Sequence, residues 1–241
     1  MQIRFDVDTR DVKVMLGRVK KQIPYATRVA INNTAVEVQK AIKGELAAKV
    51  DRPTRFTMNS PVVQFATKAR PAAAIAIRDE AFKGVAPINY LAANIHGGES
   101  QLKRSERLLM ARGVMKPGQR LIPGRRAKLD RYGNLPRNQI NKALSNIGHQ
   151  ADRWQNTRQN TRRKKGKARF DYFLIPNGHP NLTPGIWKEE RGWAYPWAIF
   201  ADRASRRRGV IRFDAVAQAT ATRVWPRKVR AAVARALATA R

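Results

Sequence analysis

The chain has 241 residues, 43% of them apolar, and carries 49 Lys and Arg against 17 Asp and Glu, a formal charge of +32. It is long enough to bury a core, but internal ion pairs cannot balance its charge, so it calls for anionic partners. With no cysteine it has no disulfides, thiolate metal sites or thiol nucleophiles.

Three kinds of partner suit such a charge: nucleic acid, an acidic protein neighbour and an anionic membrane. The membrane is the weakest, because no basic amphipathic helix shows a strong aromatic face. Met1 to Asp6 lacks the apolar core of a signal peptide. No run approaches the roughly 18 apolar residues of a membrane span. The expectation is a soluble chain made in the cytoplasm.

Gln2 to Val7 alternates, with Ile3, Phe5 and Val7 on one face, which is the period of a half-buried strand. Asp8-Thr9 can cap a helix whose apolar face holds Val12, Met15, Leu16, Val19 and Ile23. Pro24 is expected to break or restart it. From Tyr25 to Val50 the face resumes through Ile31, Ala35, Val38, Ile42 and Leu46, and its alanines permit close approach by a neighbour. Pro53 ends the helix. Val62 to Lys68 and Ala73 to Arg78 read as a hairpin around Ala69-Arg70-Pro71. Short helices follow at Asn89 to Ile95 and at Ser105 to Ala111, stopped by Gly97-Gly98 and by Gly113.

The region from 97 to 169 reads as a basic, loop-rich insertion in a single α+β domain. Lys103 to Arg131 holds ten basic residues against Glu106 and Asp130, with turns at Pro117-Gly118 and Pro123-Gly124. A helix from Pro136 carries Ile140, Leu144 and Ile147 to about Gln150. Arg153 to Arg169 holds eight basic residues and no acid, the composition of an exposed, mobile loop. Strands are expected at Tyr172 to Ile175, Gly185 to Lys188 and Trp197 to Phe200. A final helix spans Phe213 to Ala240, kinked or split at Pro226. The whole is α+β, with N-terminal helices and a C-terminal helix on a mainly antiparallel sheet.

The catalytic inventory is thin. His96 and Glu99 form a lone His-x-x-Glu with no second histidine nearby, a weak metal signal. His149 and His179 read as structural or solvent-facing. Asp6, Asp8 and Asp11 suit capping, and Glu189, Glu190 and Asp202 lie beside arginines. Lys164-Lys165-Gly166-Lys167 lacks the Ser or Thr and the preceding strand of a phosphate loop. Trp187, Trp193 and Trp197, with Tyr195, suit a core or a subunit interface better than base stacking. No enzyme, metal or cofactor is expected. The candidate contacts for a polyanion or protein partner are Arg104, Arg107, Arg125, Arg126, Arg162, Arg163, Lys164, Lys165, Lys167, Arg206, Arg207 and Arg208.

The order of blocks resembles the phage minor tail proteins of the Z type, the tail-completion or neck family. The likeness rests on Ala30-Ile31-Asn32-Asn33-Thr34-Ala35, the basic central loop and the closing stretch Arg230 to Arg241. Asp51-Arg52-Pro53-Thr54-Arg55-Phe56-Thr57 and Gly97-Gly98-Glu99 through Lys103-Arg104 look like segments of prophage virion proteins. The resemblance implies a virion structural protein made in the host cytoplasm, forming a ring of its own copies, with sixfold symmetry one option. Its partners would be tail, neck or portal-side proteins and DNA in the tail channel, with no membrane. Subunits would meet through the long N-terminal helix and the Trp-rich strands. A stand-alone, sequence-nonspecific nucleic-acid-binding protein is the alternative.

Overall fold

The computed structural model describes residues 10–82, 84–156, 171–202 and 206–239, with side chains described for all of these except 10–21, 206 and 207. The expected strand at Gln2 to Val7, its Asp8-Thr9 cap and the basic run from 157 to 170 lie outside the described residues. The protein is α+β. Where one domain with an insertion is expected, the chain divides into two compact units, 1–91 with 210–241, and 92–209.

The first unit is built on α1 (Arg10–Lys49) and α6 (Phe213–Ala238). Between them in sequence come a helical turn, α2 (Arg55–Met58), and a hairpin of β1 (Pro61–Gln64) and β2 (Ala74–Ile77). Helix α3 (Pro87–Ile95) then leads out. Residues 26 and 30 of α1 meet 232 and 236 of α6, while Glu37 meets Lys228 and Glu45 meets the Arg212 N–H, so the two helices run antiparallel. Ala26, Ala30, Ala232 and Ala236 are all buried. The alanine face that α1 offers to a neighbour is therefore taken by α6 of the same chain.

Pro24 and Pro226, expected to interrupt these helices, both lie inside continuous helix. Each removes one backbone hydrogen bond at a cost of about 3 kcal/mol. The alanine seam just beyond Pro24, and buried Val224 and Ala232 on either side of Pro226, hold the chain in register across the missing bonds.

Side-chain amides fasten the hairpin to α1. Asn32 Nδ2 donates to the Ala66 carbonyl at 3.1 Å, and the Ala66 N–H donates back to Asn32 Oδ1 at 2.7 Å. Gln39 donates to the Pro61 carbonyl at 2.7 Å. The strands are shorter than the apolar runs suggest, because Ala66 spends its backbone groups on Asn32 rather than on a strand partner.

The second unit is a four-stranded antiparallel sheet with two helices. Its strands are β4 (Arg120–Pro123), β5 (Tyr172–Ile175), β6 (Gly185–Glu190) and β7 (Trp193–Ala201), in the order β4-β7-β6-β5. Helices α4 (Arg104–Ala111) and α5 (Arg137–Asn146) share its core. A two-residue ladder joins β3 (Gly98–Glu99) to β8 (Arg206–Arg207).

Half of this core comes from the stretch expected to be an insertion. Leu109, Val114, Met115, Leu121, Ala143 and Leu144 pack with Tyr172, Ile186, Trp197, Ala198 and Phe200. The basic residues hid a sparse apolar pattern, and β4, expected as loop, is an edge strand paired to β7. Helix α5 stops at Asn146, short of Gln150, with Gly148 at φ 76° just beyond.

Strand β7, expected to begin at Trp197, instead runs through Pro196. The register slips between Ile186↔Ala198 and Trp187↔Pro196, so Trp197 is the extra residue of a β-bulge. A bulge tolerates a proline that cannot donate to the ladder. It also turns Trp197 inward, where the ring is 1% exposed and lies edge-on to Tyr172 at 5.0 Å. Arg191 and Gly192, at φ 55° and 82°, form the two-residue turn that lets β6 and β7 pair to their tips.

Candidate polyanion-binding groove

The charge is less local than the sequence blocks suggest. Residues 92–209 hold 26 Lys and Arg and 8 Asp and Glu, and the remainder holds 23 and 9, so both units are strongly positive.

In the second unit several of the few acids serve the fold. Glu106 accepts from the N–H groups of Lys103 and Leu121. Asp130 accepts from those of Tyr132 and Asn134, and Asp152 from that of Trp154. Asp202 accepts from Gln119. Asp171 pairs with Lys142, Glu190 with Lys188 at 2.8 Å, and Glu99 stands 3.9 Å from Arg120. Glu190 also accepts from the Tyr195 hydroxyl at 3.0 Å; these bonds, the one from Lys188 foremost, hold its carboxyl below the usual range. Among the described residues, none of Arg104, Arg107, Arg125 and Arg126 has a carboxylate within ion-pair distance, and all four are exposed.

A groove of about 440 Å³ opens between α4, α5 and the turn at 150–155. Lys103 and Arg104 reach it from the start of α4, and Arg137 from the start of α5. Its floor is Leu108, Ile140 and Leu144. The far wall is pinned to α5: Ser145 donates to the Gln155 carbonyl at 2.7 Å, and Gln150 Nε2 to the Asn141 carbonyl at 2.6 Å. Asp152 caps the short 3₁₀ turn Arg153–Gln155 in that wall. Its Trp154 is 85% exposed. Three cations over an apolar floor suit an anion that also carries a flat or apolar part.

The structure thus brings Arg104 together with Lys103 and Arg137, neither of which is among the candidate contacts read from the sequence. Arg107 lies further along α4, and Arg125 and Arg126 occupy the turn after β4. Arg206 and Arg207 form β8, and Arg208 beside them is exposed. Arg162, Arg163, Lys164, Lys165 and Lys167 lie outside the described residues. Of the aromatic cluster, Trp197 is core, Trp187 lies 6.4 Å from Phe173, and Trp193 is 75% exposed. Trp154 escapes sequence reasoning because a lone Trp in a polar run carries no period.

The first unit has a basic cleft of its own, about 490 Å³, where Lys40, Arg223 and Arg227 surround Glu37. The bond from Lys228, with the charges of Lys228 and then Lys40, holds the Glu37 carboxyl below its ordinary range. In the second unit His149 is pulled down by burial and then by the Arg112 charge.

Among the described residues no three His, Asp or Glu side chains converge as a metal site would require, and His96 is exposed. No described helix is long and apolar enough to cross a membrane. Comparison with protein-family models, with curated proteins and with solved structures finds no match.

Proposed function

We propose that the protein is a non-enzymatic structural component of a bacteriophage virion, acting at the tail or neck in tail completion or head–tail joining. Copies assemble as a ring, and its basic surfaces contact neighbouring virion proteins or DNA. The observation that carries this reading is the uncompensated charge. Most acids of the second unit cap helices and turns or pair locally, while Arg104, Arg107, Arg125 and Arg126 face outward with no carboxylate partner among the described residues. Such a surface is costly in an isolated chain and is offset when acidic neighbours or phosphates meet it. The likeness of the block order to tail-completion proteins supplies the setting. Mass spectrometry and negative-stain imaging of particles from a phage encoding the chain test it. The chain is expected in purified particles, at the head–tail junction or tail end; its absence from particles overturns the reading.

A second reading, a stand-alone nucleic-acid-binding protein, is favoured by the groove of Lys103, Arg104 and Arg137 with Trp154 on its wall-forming turn. It requires tight, salt-sensitive binding of naked nucleic acid by the purified chain, which the virion reading does not.

A further inference from the structure

The first unit contains an apolar groove of about 430 Å³ between α1, β2 and α6, with Ile31 and Val38, Ile75, and Phe213 and Trp225 among its walls. Its one charged lining residue is an acid, Asp214. On a chain of +32, no cation lines this surface.

One wall is an open strand edge. The Arg78 N–H donates to the Ser60 carbonyl, so residues 76 and 74 continue the hydrogen-bonded pairs with 62 and 64. In an antiparallel ladder these pairs alternate with pairs that turn their backbone groups away. The N–H and C=O of Ile75 and Ile77 therefore point to the side opposite β1, where no other described strand pairs with β2. An apolar floor beside an unpaired edge accepts an extended segment that adds as a strand and drops alternate side chains into the groove.

The chain carries such a segment, Gln2 to Val7, with Ile3, Phe5 and Val7 on one face. It cannot reach this groove in its own molecule. Helix α1 starts at Arg10, and Ile31, the nearest α1 residue of the groove, lies about 31 Å along the helix at 1.5 Å per residue. Ile3 is seven residues from Arg10, a fully extended reach of about 25 Å at most. Phe5 and Val7 fall shorter still.

We infer that residues 2–7 of one copy add as a strand to the free edge of β2 in a second copy, with Ile3, Phe5 and Val7 seated in its apolar groove. The contact is head-to-tail, so it propagates from copy to copy and closes a ring where the rotation allows. It gives a means for the self-association proposed above without depending on where in a particle the protein sits.

The absence of cysteine makes the test clean. Two singly substituted proteins are mixed and oxidised, one with Arg4→Cys and the other with Ala74→Cys or Ala76→Cys, both exposed positions of β2. Non-reducing electrophoresis should show a disulfide-linked dimer containing both partners, at least about tenfold above the level with Ala151→Cys as partner. Adding Phe5→Asp to the Arg4→Cys protein should return the yield to that background with the circular dichroism unchanged. Cross-linking no better than the Ala151→Cys control overturns the inference. So does an internal link at high dilution in a chain carrying both Arg4→Cys and Ala76→Cys. Failure to find the protein in phage particles would sink the virion reading and leave this result standing.

Discussion

The Leu121 N–H donates to Glu106 Oε1 at 2.9 Å, while the Lys103 N–H donates to Oε2 of the same carboxylate at 2.6 Å. Glu106 is 2% exposed and is the only charged side chain buried among the described residues. One acid thus fixes the start of α4 and ties it to the edge strand β4, placing Lys103 and Arg104 over the groove. Glu106→Gln keeps the shape but turns an amide NH₂ toward a backbone N–H. It should cost about 2–3 kcal/mol, the worth of a charged hydrogen bond removed from a buried place. Urea unfolding of the two proteins measures the difference, and an unchanged midpoint would show that the bridge is dispensable.

Two glycines should respond with opposite signs. A Cβ on Gly124 would stand 1.9 Å from the Pro196 carbonyl oxygen, beside the bulge that buries Trp197. The Gly124 N–H meanwhile donates to the Trp197 carbonyl at 2.8 Å, so neither backbone can retreat without breaking the sheet edge. Gly124→Ala should destabilise by about 3 kcal/mol, the upper part of the usual range for overpacking. Gly44 lies inside α1, and a methyl group added there would have nothing within 4 Å. Gly44→Ala should stabilise by about 0.5–1 kcal/mol. Thermal unfolding of both variants checks the pair of signs.

What was legible in the sequence follows from how each element is specified. The hairpin, α3 and β5 carry their own period or turn signals and form where the sequence places them, although β1 stops at Gln64, short of the expected Lys68. Strand β4 does not. Its Arg-Leu-Ile-Pro has one buried residue, Leu121, and is made a strand by pairing with β7. The prolines mislead in the same way. Pro24, Pro196 and Pro226 are strong local breakers, and in each case packing or a bulge overrides them. The groove is invisible for a different reason. Arg104 and Arg137 are 33 positions apart, and only the shared core beneath α4 and α5 brings them together.

The Glu190 carboxylate should set part of the acid limit of stability. Its bonds from Lys188 Nζ and the Tyr195 hydroxyl depress its pKa from 4.5. A carboxyl depressed in the folded state binds its proton more readily when unfolded. The stability it contributes is therefore complete above the unfolded value and is lost as pH falls through the folded one. Glu190→Gln should lower Tm at pH 7, and the difference from the parent should shrink as pH drops below about 4.5. A difference that stays constant down to pH 3 would assign the effect to packing instead of charge.

The groove predicts a separable electrostatic and stacking response. On single-stranded nucleic acid, the slope of log K against log salt falls by about 0.7 for each phosphate the protein no longer neutralises. Arg104→Ala with Arg137→Ala should therefore reduce the slope by about 1.4 if both cations meet phosphates. Trp154, exposed on the turn whose Asp152 and Gln155 line the groove, carries no charge. Trp154→Ala should leave the slope unchanged and weaken binding by about 1–3 kcal/mol, the range for one stacked base. Fluorescence anisotropy of a labelled oligothymidylate over a salt series reads both quantities. Arg125→Ala with Arg126→Ala serves as the comparison, since those two arginines lie outside the groove lining. An equal drop in slope from that pair would mean that the basic surface binds as a whole and that the groove has no special part in it.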